Sequence, residues 1–469
     1  MERATEYNDR RVLNSFFPGS LPMIPHVHTP MILASLLVSG LFGMMGVSAW
    51  SVVGLAMVTF FFLNYISSLG KNLAIMELIA FVAALQWVLG PIIEYNLDAI
   101  SDSKYRMYVG ESLYLGYAVP SMALFTMGLF MFRRNIDFRE FFDRLRQFLR
   151  LRRSVAVGFI IGSSVLVQFT YALPQELRFV VFLVSQFKFI GILYLFMARS
   201  PDRWLWLGIV GTVDLLDSVE KTMFHNFILW ATLIFSFVCL DLRISWRAKI
   251  LITLLGIGGL VVIQSVKGEL RRAEPYLDAS DSRVERFVEL VKDPFAYTQA
   301  ETLEGRIQEL NVRLNQGWIV SAVMRYVPSR EPHANGVTIW NAVVDSLLPR
   351  IISANKSTAG GAEVVKKYSG LSIGSNTSMG ISILGEAYVN FGRWGGMLFM
   401  LVWGALLSYI LSLFLRMSQN HPSMILWVPL LFLQVIKAET ELVVVLNHAV
   451  KSIIVVLLLY YFGRAIVRL

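Results

Sequence analysis

The sequence predicts an all-α polytopic membrane protein with about twelve transmembrane helices and one large helical loop, on the periplasmic or extracellular side, between helices 9 and 10. Three observations predict it. Hydrophobic residues make up 55% of the 469 residues and charged residues only 16%, with a mean hydropathy of +0.58, the composition of membrane proteins. The apolar residues fall in runs long enough to cross a bilayer as helices. The connectors between these runs are basic at every second position, as expected where positive charge holds a connector in the cytoplasm.

Taken in order, the apolar runs are 30–47, 49–66, 72–93, 112–132, 154–173, 178–197, 203–221, 224–240, 248–267, 394–416, 423–438 and 446–464. They divide the chain into an N-terminal membrane region (1–267), a large outer loop (268–392) and a C-terminal membrane region (393–469). Arg10 and Arg11 precede the first run and Lys71 follows the second. The connector 133–153 holds eight arginines, and Arg199, Arg203, Arg243, Arg247, Lys249, Arg416, Arg464 and Arg468 mark the rest of the basic series. The opposite connectors differ: 94–111 is acidic, through Glu94, Asp98, Asp102 and Glu111, and 173–177 is short. This alternation predicts both termini in the cytoplasm. The first thirty or so residues contain Arg3, Arg10, Arg11 and several prolines around no short apolar core, so no cleavable signal peptide is expected.

The segment 137–153 repeats Phe138, Phe141, Phe142, Leu145, Phe148 and Leu149 at helical spacing with arginines between them. It reads as a helix lying flat on the inner leaflet and attracting anionic lipid, or equally as a topology signal. In the outer loop, 283–292 and 303–326 carry apolar stripes at helical spacing, and 338–352 reads as a third helix interrupted at Pro349. The tract 357–378 is rich in Gly, Ser and Thr and is expected to be mobile. No internal repeat is visible, which argues against the matching halves of many transporters.

The net charge of +9 does not point to nucleic acid, because the excess lies beside apolar runs. The single cysteine, Cys239, excludes a disulfide within the chain and disfavours a thiol metal site. DxD, P-loop and HExxH motifs are absent, which disfavours the usual nucleotide-sugar transferases, ATPases and zinc proteases.

The residues with chemical potential gather in and beside the outer loop. From Arg306 onward its bases outnumber its acids. Such a zone suits a phosphate-bearing ligand, because the guanidinium fork matches phosphate oxygens. The alternative is a solvated loop with surface ion pairs. Arg306 and Arg313 are two helical turns apart and share a face, and Arg350 ends an apolar run. His333 and the carboxylates Glu386, Glu439 and Glu441 are candidate bases on the same side. Within the predicted spans, Lys188 requires an acidic partner or a water-filled cavity. The stretch Gly385-Glu386-Ala387-Tyr388-Val389-Asn390-Phe391-Gly392-Arg393-Trp394-Gly395-Gly396 precedes a membrane run. It reads either as an interfacial aromatic anchor, with Glu386 and Arg393 at the membrane surface, or as a site.

Three pieces in this order resemble the Wzy-type O-antigen and polysaccharide repeat-unit polymerases of bacterial inner membranes. The first is Gly336-Val337-Thr338-Ile339-Trp340, leading into Leu347-Leu348-Pro349-Arg350 and Lys356; the family's lysine-proline is here Lys356-Ser357. The second is the tract containing Thr377, and the third is Gly-Glu-Ala-Tyr-Val-Asn-Phe-Gly from Gly385 to Gly392, followed by Gly395, Gly396 and a membrane run. The resemblance covers residues 300–410 and extends to the overall plan of many spans with one large outer loop near the C-terminus. It implies a membrane glycosyltransferase at the outer face. The donor is a growing glycan on undecaprenyl diphosphate, and the acceptor is a sugar hydroxyl of one lipid-linked repeat. On that reading Arg306, Arg313 and Arg350 bind the diphosphate, Glu386 or His333 is the base, and Tyr388 and Asn390 bind sugar hydroxyls. No metal or cofactor is implied, and a flippase and a chain-length regulator are the companions. A ligase that moves finished glycan onto a lipid core shares the donor chemistry. A lipid-linked glycan transporter is the reading from another class.

Overall fold

The computed structural model describes residues 29–97, 105–133, 136, 138–242, 244–273, 283–292, 303–348, 361–373 and 379–466. Among them there are helices and no named strand. Eight helices are long and apolar enough to cross a membrane: Ala49–Ser68 (α2), Ile75–Tyr95 (α3), Glu111–Leu129 (α4), Arg178–Met197, His225–Leu242 (α10), the Trp246–Lys267 part of α11, Ser382–Asn420 (α17) and Leu442–Phe462 of α19. Helices Phe138–Leu149 (α5) and Arg153–Gln168 (α6) form one further crossing only if a 77° bend between them is allowed. Four of the twelve expected spans therefore do not stand as simple crossings. Thr29–Met44 (α1) has 16 residues. The run 154–173 becomes α6 at that bend, and Arg203–Glu220 (α9) carries Arg203, Asp214, Asp217 and Glu220. The run 423–438 becomes a 3-10 turn, Pro422–Trp427, a short helix, Val428–Phe432 (α18), and turns. That irregular stretch is buried from Ser423 to Leu433, the setting in which non-helical backbone is tolerated at membrane depth.

The closest helix pair is α4 with α17. A Cβ on Gly128 would stand 2.2 Å from the Leu401 carbonyl oxygen, and one on Gly404 would stand 2.2 Å from that of Phe125. Only glycine at both positions lets the two backbones touch. Elsewhere in the bundle, Gln175–Ser185 (α7) leads into Phe187–Met197 (α8), where Lys188 Nζ lies 2.6 Å from Asp214 Oδ1 of α9. The lysine thus has the acidic partner its position requires.

At one end of the bundle α5 departs from expectation. Its apolar face, Phe141, Phe142, Leu145 and Leu149, is buried, with α8 and the Pro422–Trp427 turn packed against the helix. The apolar stripe meets protein instead of lipid. Its Arg146 is tied down as well, joining Arg199 and Arg203 from beyond the end of α8 and the start of α9 at the buried Asp241 carboxylate, at 3.8, 2.7 and 3.6 Å.

The opposite end carries a cap of short helices: Arg283–Lys292 (α12), Leu303–Leu314 (α13), Gly317–Tyr326 (α14), Val337–Leu347 (α15) and Ala362–Ser369 (α16). The expected helix over 303–326 is two helices, broken around Asn315, whose Oδ1 accepts the Trp318 amide. The third ends at Leu347, before Pro349. The tract 357–378 is not wholly loop, since α16 lies within it and buries Val365 and Tyr368. Thr377, Lys356 and Arg350 lie outside the described residues.

The cap is fastened where α3 is irregular. Pro91 has no N–H and its ring crowds the turn before it, and the preceding residues Leu85–Leu89 form a π turn. Carbonyls left over there find distant donors. Gln86 O accepts Gln316 N at 3.0 Å and Trp87 O accepts the Tyr114 hydroxyl at 2.9 Å. Asn311 Nδ2 adds bonds to Gly90 O at 3.0 Å and Glu94 Oε2 at 3.1 Å.

Candidate active site

The stretch from Gly385 to Gly396 is not a surface segment before a helix. It is the first third of α17, and Glu386 within it is 6% exposed. The helix breaks at Gly392, where φ is 64° and ψ is −162°. Side chains other than hydrogen are strained in that region by about 1–3 kcal/mol, so the glycine is required by conformation. A break there frees carbonyls one turn earlier. Val389 O accepts the Ala334 amide at 2.9 Å and is 3.2 Å from His333 Nδ1. The cap thus docks onto the bond acceptors that the kink releases.

Asn390 completes the junction. Its Oδ1 accepts the Gly336 amide at 2.9 Å, and its Nδ2 donates to Thr338 Oγ1 at 2.7 Å and to Glu386 O at 2.8 Å. Three of the four bonds its side chain can make are taken, both amide hydrogens among them, and the residue is 1% exposed. The sugar-binding role expected of Asn390 therefore gives way to a positioning one. The Thr338 hydroxyl, which accepts from Asn390, lies beside the Glu386 carboxylate and favours its charged form. Glu386 Oε2 also accepts the amide of Leu442, the first residue of α19 (Leu442–Ile466), at 2.9 Å. A carboxylate at a helix N-terminus is favoured by the free amides there. Buried Glu441 adds negative charge beside it.

His333 is half-buried against this junction. A carbonyl only accepts, so Nδ1 carries the proton in its bond to Val389 O, and in the neutral ring Nε2 keeps its lone pair. A Cβ at Gly392 would lie 3.4 Å from His333 Nε2 and Cε1. The Tyr388 ring lies 6.1 Å from the His333 ring and edge-on to Tyr117 at 5.2 Å. Arg393, which sequence reasoning left at the membrane surface, is half-buried and donates from Nη2 to Gly116 O at 3.0 Å. Its Nε is buried with no hydrogen-bond partner among the described residues. Phe391 and Trp394 fit the anchor reading, since both are exposed, Trp394 by 75%. Tyr388 does not, because its ring packs on Tyr117.

Glu386, His333, Tyr388 and Asn390 thus come together. The arginines are not shown to join them. Arg306 and Arg313 sit on α13, which is docked at the same end through Asn311, but their side chains lie outside the described residues, as does all of Arg350. Thr338, Leu442 and Arg393 are the additions. Thr338 and Arg393 carried a sequence signal, as parts of Gly336-Val337-Thr338 and of the Gly385 to Gly396 stretch, and Leu442 carried none. No group of three or more potential metal ligands occurs among the described residues.

The clamp is testable. Asn390→Ala leaves the Gly336 amide without its acceptor and the Thr338 hydroxyl without its donor, at about 1–3 kcal/mol for a buried group left unsatisfied, while the Glu386 carbonyl keeps its helical partner. It is expected to lower the melting temperature in detergent and to speed proteolysis of the cap. Unchanged melting and digestion would show that the junction does not depend on Asn390.

The molecule is a polytopic, all-helical membrane protein with a helical cap clamped over a buried carboxylate. No family model, curated protein or solved structure matches this chain.

Proposed function

We propose that this protein is a membrane glycosyltransferase of the polysaccharide-polymerase type. It transfers a growing glycan from undecaprenyl diphosphate to a sugar hydroxyl of a lipid-linked repeat unit. One observation carries the reading. The two motif pieces that resemble the polymerases, Gly336 to Thr338 and Gly385 to Gly392, are about fifty residues apart yet bond directly. The links are Asn390 Oδ1 to the Gly336 amide and Asn390 Nδ2 to the Thr338 hydroxyl, with His333 beside the first piece bonding Val389 O in the second.

The reaction needs a base for the attacking hydroxyl and positive charge at the departing diphosphate. Glu386 and His333 are the candidate bases. Arg306, Arg313 and Arg350, with half-buried Arg393 beside the site, are the candidate cations. Tyr388 offers a half-exposed ring to a sugar face. The lipid diphosphate activates the donor, so no nucleotide is consumed. In this reading the capped end faces the periplasm, the bundle lies in a bacterial inner membrane with twelve crossings, and both termini are cytoplasmic. A flippase supplies the repeats and a chain-length regulator accompanies the enzyme.

Orientation is checked with single cysteines in whole cells. Cys239 is buried and contributes little background. A membrane-impermeant thiol reagent is expected to label Lys366→Cys in the cap, and Arg144→Cys only after permeabilisation. The reverse pattern would place the capped end in the cytoplasm and remove the polymerase reading with it.

A further inference from the structure

A second polar recess lies at the other end of the bundle, where α5 sits. It is a cavity of about 60 Å3 between the start of α3, the end of α4, α5 and α17. Leu129, Phe130, Phe138, Leu411 and Leu415 are among its walls. At its polar side is Glu77, 4% exposed. The bonds that described residues give this carboxylate all fall on Oε1: Ser68 Oγ at 3.2 Å, Asn72 Nδ2 at 3.3 Å and, as the closest ion-pair contact, Arg133 Nη2 at 3.5 Å. Oε2 receives none of them. Arg133 lines the same cavity with its side chain 30% exposed.

A carboxylate buried as a residue, with one oxygen that no described residue donates to, is poised to accept a further donor. Here it lines a cavity that also holds a half-exposed guanidinium. We propose that this cavity binds the headgroup of an amine-bearing zwitterionic phospholipid, phosphatidylethanolamine, from the adjacent leaflet. The ammonium donates to Glu77 Oε2 and the phosphate meets Arg133, so that opposite charges alternate along the headgroup. The surroundings suit a lipid over a free amine. Phe132 lines the cavity, is itself exposed and contacts exposed Tyr409, giving an apolar strip toward the bilayer for the acyl chains. Phosphatidylcholine, whose quaternary ammonium has no N–H, cannot make the bond to Oε2.

The test uses the full chain reconstituted in vesicles of equal parts phosphatidylethanolamine, phosphatidylcholine and phosphatidylglycerol. The protein is extracted in mild detergent and the co-purifying lipid is quantified by mass spectrometry. The wild type is expected to retain the ethanolamine lipid about tenfold over the choline lipid, the factor one charge-assisted hydrogen bond supplies. Glu77→Gln is expected to bring that ratio to near one. Leu411→Trp, which fills the cavity without touching a charge, is expected to do the same. Arg133→Gln, at the exposed rim, is expected to lower total phospholipid retention. Three results would each overturn the proposal: no ethanolamine preference in the wild type, a preference that survives Glu77→Gln or Leu411→Trp, or preferential retention of phosphatidylglycerol, which would make the recess an anion site.

Discussion

Glu386→Gln is expected to lower polymer formation about a hundredfold or more while leaving the protein folded and inserted. Glutamine keeps an oxygen where Glu386 Oε2 accepts the Leu442 amide, and it has nearly the same volume, so the joint between α17 and α19 survives. What it loses is the capacity to take a proton. The buried contact to Leu442 supplies a competing, purely structural account in which Glu386 only ties two helices. That account predicts near-normal polymer from Glu386→Gln and a lower melting temperature from Glu386→Ala. The glycan ladder on the cell surface, read at equal expression, decides between them. A near-normal ladder from Glu386→Gln would pass the base role to His333, whose Nε2 is free to accept when Nδ1 is committed to Val389 O. His333→Gln would then be the variant that abolishes the ladder.

Arg350→Ala is expected to lower transfer by about 3–4 kcal/mol of transition-state stabilisation, a few hundredfold in rate, if its guanidinium behaves as one preorganised donor to the charge that builds on the departing diphosphate. Arg350→Lys keeps the charge but loses the two-pronged geometry, so it too is expected to be substantially impaired. Arg144→Ala, at the opposite end of the bundle and half-exposed, is expected to behave as wild type, because an exposed charge contributes little. The ladder also separates two functions. Loss of a polymerase leaves single repeats attached to the lipid core by a separate ligase, with no long chains. Loss of a ligase leaves long chains on undecaprenyl diphosphate and a bare core. A normal ladder from Arg350→Ala would remove Arg350 from the site. A bare core with long lipid-linked chains would replace the polymerase reading with the ligase one.

Part of the site was legible before any coordinates. Glycine at 392 between aromatic residues, with Glu386 and Asn390 on the preceding turns, marked one stretch, and Gly336-Val337-Thr338 marked another. What the residues could not show was their pairing. The resemblance implies that the Asn390 amide binds sugar hydroxyls, and nothing local in the sequence speaks against it. Its three bonds reach the cap and its own helix, they use both amide hydrogens, and the side chain is buried. Glu386 and Arg393, expected on a polar approach to a membrane run, lie inside α17 and pack on protein for a related reason. Hydropathy detects where an apolar run begins, whereas a buried helix packed on protein tolerates polar residues before that point.

By itself the sequence determined the helical membrane class. Span length, connector charge and the stop at Pro349 are local properties that act wherever the chain goes. It also determined that Lys188 must find an acid, since an unpaired charge at that depth is expensive. Tertiary structure alone decided which surfaces those helices cover. Periodicity shows that α5 has an apolar stripe, but lipid and a neighbouring helix satisfy a stripe equally well, and only the packing of Phe141 and Leu145 against protein resolves the choice. The same holds for the short helix within 357–373, whose Gly- and Ser-rich flanks mask an apolar face that α14 buries. It holds too for Glu386, whose donor Leu442 and neighbour Thr338 are each about fifty residues away. Contacts over such separations depend on how the kinked α17, the cap and α19 come together, and that arrangement is set by the whole core.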